Sequence, residues 1–171
     1  MTSRLRLVAA TADLVQLEIE QRAQFFEQLG VELAEDWPSD NLASVLPLFL
    51  ADLDRDPTLI GWMAWYWILE DPDGRELVGG GGFKGAPVRG LVEIGYETRP
   101  AFQRRGFATE AVDRLAQWAL SHPTVDAVIA EASAHNEASI GVLRNAGFEC
   151  VGAGSEAGLS RFRLTGGGDP A

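Results

Sequence analysis

A short turn rich in arginine carries the clearest chemical signal in this chain. The turn joins a strand-like run, residues 91–98, to a helix-like run, residues 108–120. The first N–H groups of a helix have no partner inside the helix, and they lie at the positive end of its dipole. The turn therefore predicts an anion-binding site, to which two arginines add positive charge. Its members are Gln103, Arg104, Arg105, Gly106, Phe107, Ala108 and Thr109.

The segments around this turn alternate between strand and helix patterns. Apolar residues at helical spacing predict one helix from Thr11 or Asp13 to Gly30 and another over residues 42–54. The sequence Asp71-Pro72-Asp73-Gly74 predicts a hairpin turn. Strands are predicted over residues 5–10, 61–70, 76–83, 91–98, 125–132, 148–152 and 159–164, with helices over residues 108–120 and 136–147. The order β-α-α-β-β-β-α-β-α-β-β predicts an α/β (α+β) sandwich built on a mixed sheet.

Two of the predicted strands have unusual compositions. Four consecutive glycines, residues 79–82, predict a bulged strand that neighbouring backbone approaches closely. The strand of residues 61–70 contains Trp62, Trp65 and Trp67, which predicts sheet core covered on both faces, with one ring available to a binding pocket. Cys150 follows Phe148 and is predicted to be buried and inert.

The composition limits the kinds of function that these elements can serve. The chain has 171 residues and is 46% hydrophobic, which predicts a single domain over residues 1–165 with a flexible tail over residues 166–171. A net charge of −11 argues against a nucleic-acid-binding surface. No apolar run reaches the ~18 residues of a membrane span, and the first residues lack a secretory signal, so a cytoplasmic protein is expected. One cysteine and two histidines, His122 and His135, predict no metal site.

Two segments resemble the GNAT family of N-acetyltransferases. Residues 92–96, Pro100 and the turn up to Ala111 resemble its acyl-CoA signature, (Gln/Arg)-x-x-Gly-x-(Gly/Ala). Asn136 and Ser139, followed by Gly147-Phe148, resemble its Asn-x-x-Ser segment and helix-ending Gly-Phe pair. The resemblance is to the ribosomal-protein and small-molecule acetyltransferase branch. It implies a mostly antiparallel sheet of about seven strands with about four helices, and acyl-CoA bound in the splay between the fourth and fifth strands.

The resemblance also implies how acetyl-CoA, the expected co-substrate, is bound. The N–H groups from Arg104 to Thr109 would meet the pyrophosphate of coenzyme A, with Gly106 permitting close approach. The pantetheine arm would pair with the strand at Tyr96, Glu97 and Thr98, where a backbone N–H would meet the thioester carbonyl. Asn136 would hold the pantetheine amide, cap the helix, or do both.

Acetyl transfer to an amine needs a base, because an alkyl ammonium has a pKa near ~10.4. Glu93 lies where family members often carry a carboxylate, and it is the leading candidate base, acting through water; the alternative is an ion-paired strand glutamate. Many relatives place a tyrosine seven residues after the asparagine, where this chain has Leu143. Attention therefore turns to Ser139, which either polarises the leaving sulfur or caps its helix.

The amine acceptor is the least defined part of the sequence-based interpretation. Asp36 and Trp37, in the loop of residues 32–40, are candidates to bind a cationic amine by charge and an aromatic face. The acceptor is expected to be a small-molecule or peptide amine, with neither nucleic acid nor membrane as partner, and a homodimer is possible. The alternative function is a non-catalytic acyl-CoA sensor or interaction module, which Leu143 favours.

Overall fold

A seven-stranded sheet forms the centre of the protein in a computed structural model that describes residues 4–72 and 74–166. The sheet order is β1-β2-β3-β4-β5-β7-β6. Its strands are β1 (Leu5–Ala9), β2 (Ala64–Asp71), β3 (Gly74–Phe83), β4 (Leu91–Thr98), β5 (Ala127–Ser133), β6 (Glu149–Ala153) and β7 (Leu159–Thr165). Its helices are α1 (Ala12–Glu20), α2 (Arg22–Leu29), α3 (Asp40–Arg55), α4 (Phe107–Leu120) and α5 (Glu137–Asn145). The mixed sheet and the predicted order of elements are confirmed, except that the first predicted helix is two helices.

The sheet opens between its fourth and fifth strands. All the other neighbours are antiparallel, whereas β4 and β5 are parallel and pair only where residues 91–93 meet residues 127–129. Beyond Glu93 the two strands separate, and β4 continues alone on that side to Thr98. This is the splay that the resemblance implied. It leaves one edge of β4 free to pair with something other than β5.

The helices differ from the prediction in one place. The single helix expected up to Gly30 is two helices, α1 and α2, because Gln21 between them has non-helical dihedral angles (φ −140, ψ 61). Five helices are therefore present in the described residues, not about four. Apolar residues continue across the break, so hydrophobic spacing carries no sign of it. Thr11 caps α1 and Gly30 ends α2 in the left-handed conformation, as expected.

Two apolar clusters cover the two faces of the sheet. Helices α4 and α5 pack on one face, with Leu115, Val128 and Phe162 among the buried residues. Helices α1 to α3 pack on the other, around Phe25, Leu46 and Tyr66 among others. Neighbouring residues of β2 alternate between the clusters, since Trp67 belongs to the first and Tyr66 to the second. The prediction that this strand is covered on both faces is confirmed.

The glycine run of β3 is bulged and tightly approached, as predicted. The register shifts between Trp67 and Ile68, which pair with Gly79 and Leu77. A Cβ at Gly81 would lie 2.6 Å from the Tyr96 Cβ, and one at Gly82 would lie 1.8 Å from the Met63 carbonyl oxygen. The prediction for Cys150 was wrong: it is exposed, because β6 is an edge strand whose residues all face solvent.

Two predicted features lie wholly or partly outside the described residues. Asp73, the third residue of the β2–β3 turn, is outside them, although β2 and β3 form the expected hairpin on either side. The predicted tail lies outside them from residue 167 onward.

Candidate active site

The N-terminus of α4 has a set of unpartnered backbone donors. Gly106 occupies the N-cap position in the left-handed conformation (φ 81), and no side chain caps the helix. None of the six N–H groups from Arg104 to Thr109 donates a hydrogen bond to another described residue. The first intrahelical bond runs from the Glu110 N–H to the Gly106 carbonyl, at 3.1 Å. The predicted turn thus has the free donors that an anion needs.

Arginine side chains surround these donors. Arg105 lies over the rings of Phe102 and Phe107, and the Arg4 guanidinium stacks on Phe107 at 4.6 Å from the ring centroid. Arg4 also pairs with Glu110 and donates to the Arg105 carbonyl. The Phe107 side chain itself is buried, so this residue offers the site its backbone N–H. Arg4 was missed in the sequence because it precedes the turn by about a hundred positions.

The free edge of β4 continues from this turn. The Glu93 carbonyl accepts from the Lys84 N–H and the Arg99 N–H donates to the Val78 carbonyl, so odd-numbered residues of β4 pair with β3. By alternation, the backbone groups of Tyr96 and Thr98 face the splay. The Gln103 side chain donates to the Thr98 carbonyl at 3.1 Å, which ties the turn to the strand end. Glu97, also expected to offer its backbone here, turns that backbone toward β3 instead.

The start of α5 lies across the splay from Tyr96. The Asn136 side chain accepts from the Ser139 N–H at 3.0 Å, so Asn136 acts as the helix cap. This leaves the Ser139 hydroxyl for another partner, and the Tyr96 hydroxyl lies 2.9 Å from it and 3.1 Å from the Ser139 carbonyl oxygen. Burial raises the pKa of Tyr96, although its hydrogen bond with Ser139 acts in the opposite direction. Leu143 is fully buried and contributes packing only.

Glu93 faces the side of the sheet covered by α3. Its carboxylate forms an ion pair with Lys84, and three-quarters of the side chain is shielded from solvent. Its position thus combines the two alternatives raised by the sequence: the carboxylate is ion-paired, and it lies on the strand that borders the splay. Side chains on this face alternate with those of Ile94 and Tyr96, which point to α4 and α5.

The loop residues proposed to bind the acceptor have structural partners. Asp36 forms an ion pair with Arg99 at 2.7 Å, and this guanidinium lowers the pKa of the carboxyl. Trp37 is 2% exposed, and its indole N–H donates to Glu18 at 2.8 Å. Trp37 therefore has no solvent-exposed ring face on which a cation could stack, because its ring packs inward and forms part of a cavity wall.

A cavity of about 410 Å³ lies between α3 and the strands β2, β3 and β4. Its lining is mainly apolar, with Asn41, Lys84 and Glu97 as its charged or amide side chains. The sequence did not reveal it, since its walls come from four separated segments. They include Leu42, Val45, Leu46 and Phe49 of α3, Ala64, Trp65 and Tyr66 of β2, Gly80, Gly81 and Gly82 of β3, and Gly95 and Tyr96 of β4.

A buried carboxyl group lies behind this cavity. Glu18 of α1 is 5% exposed, and it accepts hydrogen bonds from Trp37 Nε1 at 2.8 Å and from the Tyr66 hydroxyl at 2.5 Å. Burial raises its pKa to about 7, more than its two hydrogen bonds lower it. No motif in the sequence distinguishes Glu18 from the other acidic residues of the first helices.

No group of three or more histidine, cysteine, aspartate or glutamate side chains in the described residues is arranged to hold a metal ion. None of the helices in residues 4–72 and 74–166 is long and apolar enough to cross a membrane.

The sequence matches the family described as "Acetyltransferase (GNAT) domain" over residues 4–149. The protein belongs to the GNAT family. This GNAT protein is 34% identical over 148 residues to the uncharacterized N-acetyltransferase YjdG of Bacillus subtilis (strain 168), covering 86% of this chain and 87% of that protein. The family resemblance stated from the two motifs is confirmed, and the protein is an N-acetyltransferase.

Solved GNAT structures share the fold. RimL, a ribosomal L7/L12 alpha-N-protein acetyltransferase solved with coenzyme A, aligns with a TM-score of 0.64 at 18% identity, over 96% of this chain and 95% of that chain. The spermidine N-acetyltransferase of Vibrio cholerae, solved with coenzyme A and spermine, aligns with a TM-score of 0.62 at 14% identity, over 95% and 96% of the two chains. At these identities the likeness concerns the fold.

Proposed function

We propose that this GNAT protein transfers the acetyl group of acetyl-CoA to a primary amine, which attacks the thioester directly. The proposal is supported by two structural features that adjoin each other. The unpartnered N–H groups at the start of α4 lie beside the free edge of β4, and both border the splay. A pyrophosphate and an extended amide-containing arm need these two kinds of donor in this order.

Donor binding would use mostly backbone groups. The N–H groups from Arg104 to Thr109 would hold the pyrophosphate, with Arg4 and Arg105 adding charge. The arm would then pair with the exposed backbone of Tyr96 and Thr98. A free N–H on this edge is also a donor for the oxyanion that forms when the amine attacks, and such fixed donors are a large source of rate enhancement.

The amine must lose a proton for the reaction to proceed. The nitrogen forms a bond to the carbonyl carbon, the carbon–sulfur bond breaks, and the sulfur leaves as a thiolate. Glu93 would take the amine's proton through water, as a carboxylate on the strand that borders the splay. An ion pair with Lys84 holds the Glu93 carboxylate in place on this strand.

The thiolate would meet hydroxyl groups instead of the tyrosine found in many relatives. Tyr96 and Ser139 lie within hydrogen-bonding distance of each other across the splay, at the N-terminus of α5. The Tyr96 phenol is neutral at neutral pH and burial raises its pKa further, so this hydroxyl is a hydrogen-bond donor. Ser139 relies on Tyr96 and on the helix for its orientation. We assign the pair to stabilising the leaving thiolate by hydrogen bonds.

A two-stage experiment tests the proposal. Calorimetry should show that the protein binds acetyl-CoA and prefers it to ATP and NAD. Release of free thiol from acetyl-CoA should then depend on a primary amine from a panel of monoamines, polyamines and peptides. Tight acetyl-CoA binding with no amine-dependent thiol release from any panel member would contradict the enzyme proposal and support the acyl-CoA sensor.

A further inference from the structure

The cavity under α3 has the size and lining of a small-molecule site. Its volume of about 410 Å³ falls within the range of about 300–1,000 Å³ that is usual for such sites. Val45 and Phe49 of α3 face Ala64 and Tyr66 of β2 across it, and the two α3 side chains are partly exposed, not fully packed. An apolar group placed here would be removed from water without displacing the core.

Gly95 leaves open space at the β4 wall of this cavity. A Cβ at Gly95 would meet no other atom within 4 Å, and its backbone is not in the left-handed region. This contrasts with Gly81 and Gly82, where a Cβ would collide with neighbouring atoms. The glycine at position 95 is therefore not required by the fold. It leaves free space on β4 between Glu93 and Glu97, on the face that lines the cavity.

A carboxylate borders the same space. One oxygen of Glu97 accepts a hydrogen bond from the Ser39 hydroxyl at 2.6 Å, and no other described residue bonds to this carboxylate. Glu97 thus keeps acceptor capacity for an ammonium group, whereas Glu93 is paired with Lys84. Apart from Glu97, the lining offers no carboxylate for a second ammonium.

We propose that this cavity binds the body of the acceptor, and that the acceptor is a primary amine attached to a compact apolar group, aromatic or branched aliphatic. The inference rests on the proposed function, since it concerns the second substrate of the same reaction. The apolar group fills the space between α3 and Tyr66, and Glu97 attracts the ammonium to the end of the cavity at β4. A long polyamine fits poorly, because its remote ammonium groups would be desolvated against apolar walls.

The first test compares acceptors on the unmodified protein at saturating acetyl-CoA. 2-Phenylethylamine and 3-methylbutylamine should show KM values at least tenfold lower than 1,4-diaminobutane and spermidine. Dipeptides with N-terminal phenylalanine or lysine form a second arm, which distinguishes a free amine from a peptide N-terminus carrying the same apolar group. Lower KM values for the polyamines than for every apolar amine would overturn the inference and leave the acetyltransferase proposal intact.

The second test fills the cavity from β4. Gly95→Ala and Gly95→Val should raise the KM for 2-phenylethylamine in that order, by about tenfold or more for valine, while acetyl-CoA affinity changes less than threefold. Phe49→Ala should also raise this KM, whereas Leu48→Ala, on the exposed side of the same helix, should not. Unchanged KM values in Gly95→Val, together with a raised Tm, would identify the cavity as a packing defect and contradict the inference.

A binding measurement separates this inference from the proposed function. Calorimetry with 2-phenylethylamine in the presence of coenzyme A needs no turnover. Binding that is lost in Gly95→Val supports the cavity site even if no acetyl transfer is detected. Absence of binding to the unmodified protein, in a preparation that acetylates other amines, refutes the cavity site alone.

Discussion

The two faces of the sheet present sites built in different ways. On the face covered by α4 and α5, the donor region consists of backbone groups within two short segments, residues 96–109 and 136–139. On the face covered by α1 to α3, the cavity consists of side chains from α3, β2 and β4 and bare glycine backbone of β3. The first site depends on local backbone geometry and the second on packing between distant segments.

This difference determines what each face can recognise. Backbone N–H groups at a helix N-terminus bind a phosphate whatever the neighbouring side chains are, so the donor site is general. The cavity takes its shape and charge from particular side chains, so we expect acceptor preference to arise there. Five predictions test this division, beginning with the one expected to have the largest effect.

Glu93→Gln should lower kcat about 100-fold or more, because a neutral amide cannot accept the amine's proton. Acetyl-CoA affinity should stay within threefold, since the donor site lies on backbone groups. Lys84→Met removes the same ion pair but keeps the carboxylate, and it should reduce kcat much less. Steady-state kinetics of both variants are the measurement, and equal losses would assign Glu93 to the ion pair alone.

Glu18→Gln should change how the free energy of unfolding depends on pH, because Glu18 is buried on the α1 to α3 face. The pKa of Glu18 is about 7 in the folded state and about 4.5 unfolded, so its contribution is fully present below pH 4.5 and lost as pH rises through 7. Between pH 4.5 and 8 the variant should gain about 3 kcal/mol relative to the parent. Urea unfolding measures this change, with exposed Glu20→Gln as control. A pH-independent difference would contradict it.

Gly106→Ala should raise the Kd for acetyl-CoA about tenfold, because a Cβ strains the left-handed N-cap and crowds the donors. Gly30→Ala is a matched control, since Gly30 is also left-handed but ends α2. Both variants should lose about 1–2 kcal/mol of stability, and only Gly106→Ala should bind acetyl-CoA more weakly. Calorimetry that finds equal affinities for the two variants would count against the donor site.

Tyr96→Phe and Ser139→Ala should each lower kcat about fivefold, and the double variant should be little worse than either. The two hydroxyls act as a unit across the splay, 2.9 Å apart, so their losses are not additive. Steady-state kinetics of the three variants measure these losses. Fully additive losses would indicate that the two hydroxyls act separately.

Asp36→Asn should have the smallest effect. Its carboxylate pairs with Arg99 at a partly exposed site, so the variant should lose less than about 1 kcal/mol of stability. Acceptor KM values should not change, because Asp36 does not line the cavity. A rise in acceptor KM of more than threefold would indicate that the loop of residues 32–40 binds the acceptor. Acceptor preference would then not depend on the cavity alone.

Much of the fold could be predicted because its signals are local. Capping residues such as Thr11 and Asn136, and the left-handed glycines at positions 30 and 106, mark helix ends wherever they occur. The break at Gln21 was missed because apolar spacing continues through it. The burial of Cys150 was wrongly predicted because the sequence does not say which strand lies at the edge.

The sequence by itself determined most of the order of elements, the family and the turn with unpartnered N–H groups before α4, because helix caps, strand periodicity and backbone conformation depend on neighbouring residues. Only the tertiary structure decided that Ser139 meets Tyr96, that Trp37 turns inward onto Glu18, and that Gly95 opens onto a cavity. These contacts join segments many residues apart, and their geometry follows from how the sheet twists and its helices pack.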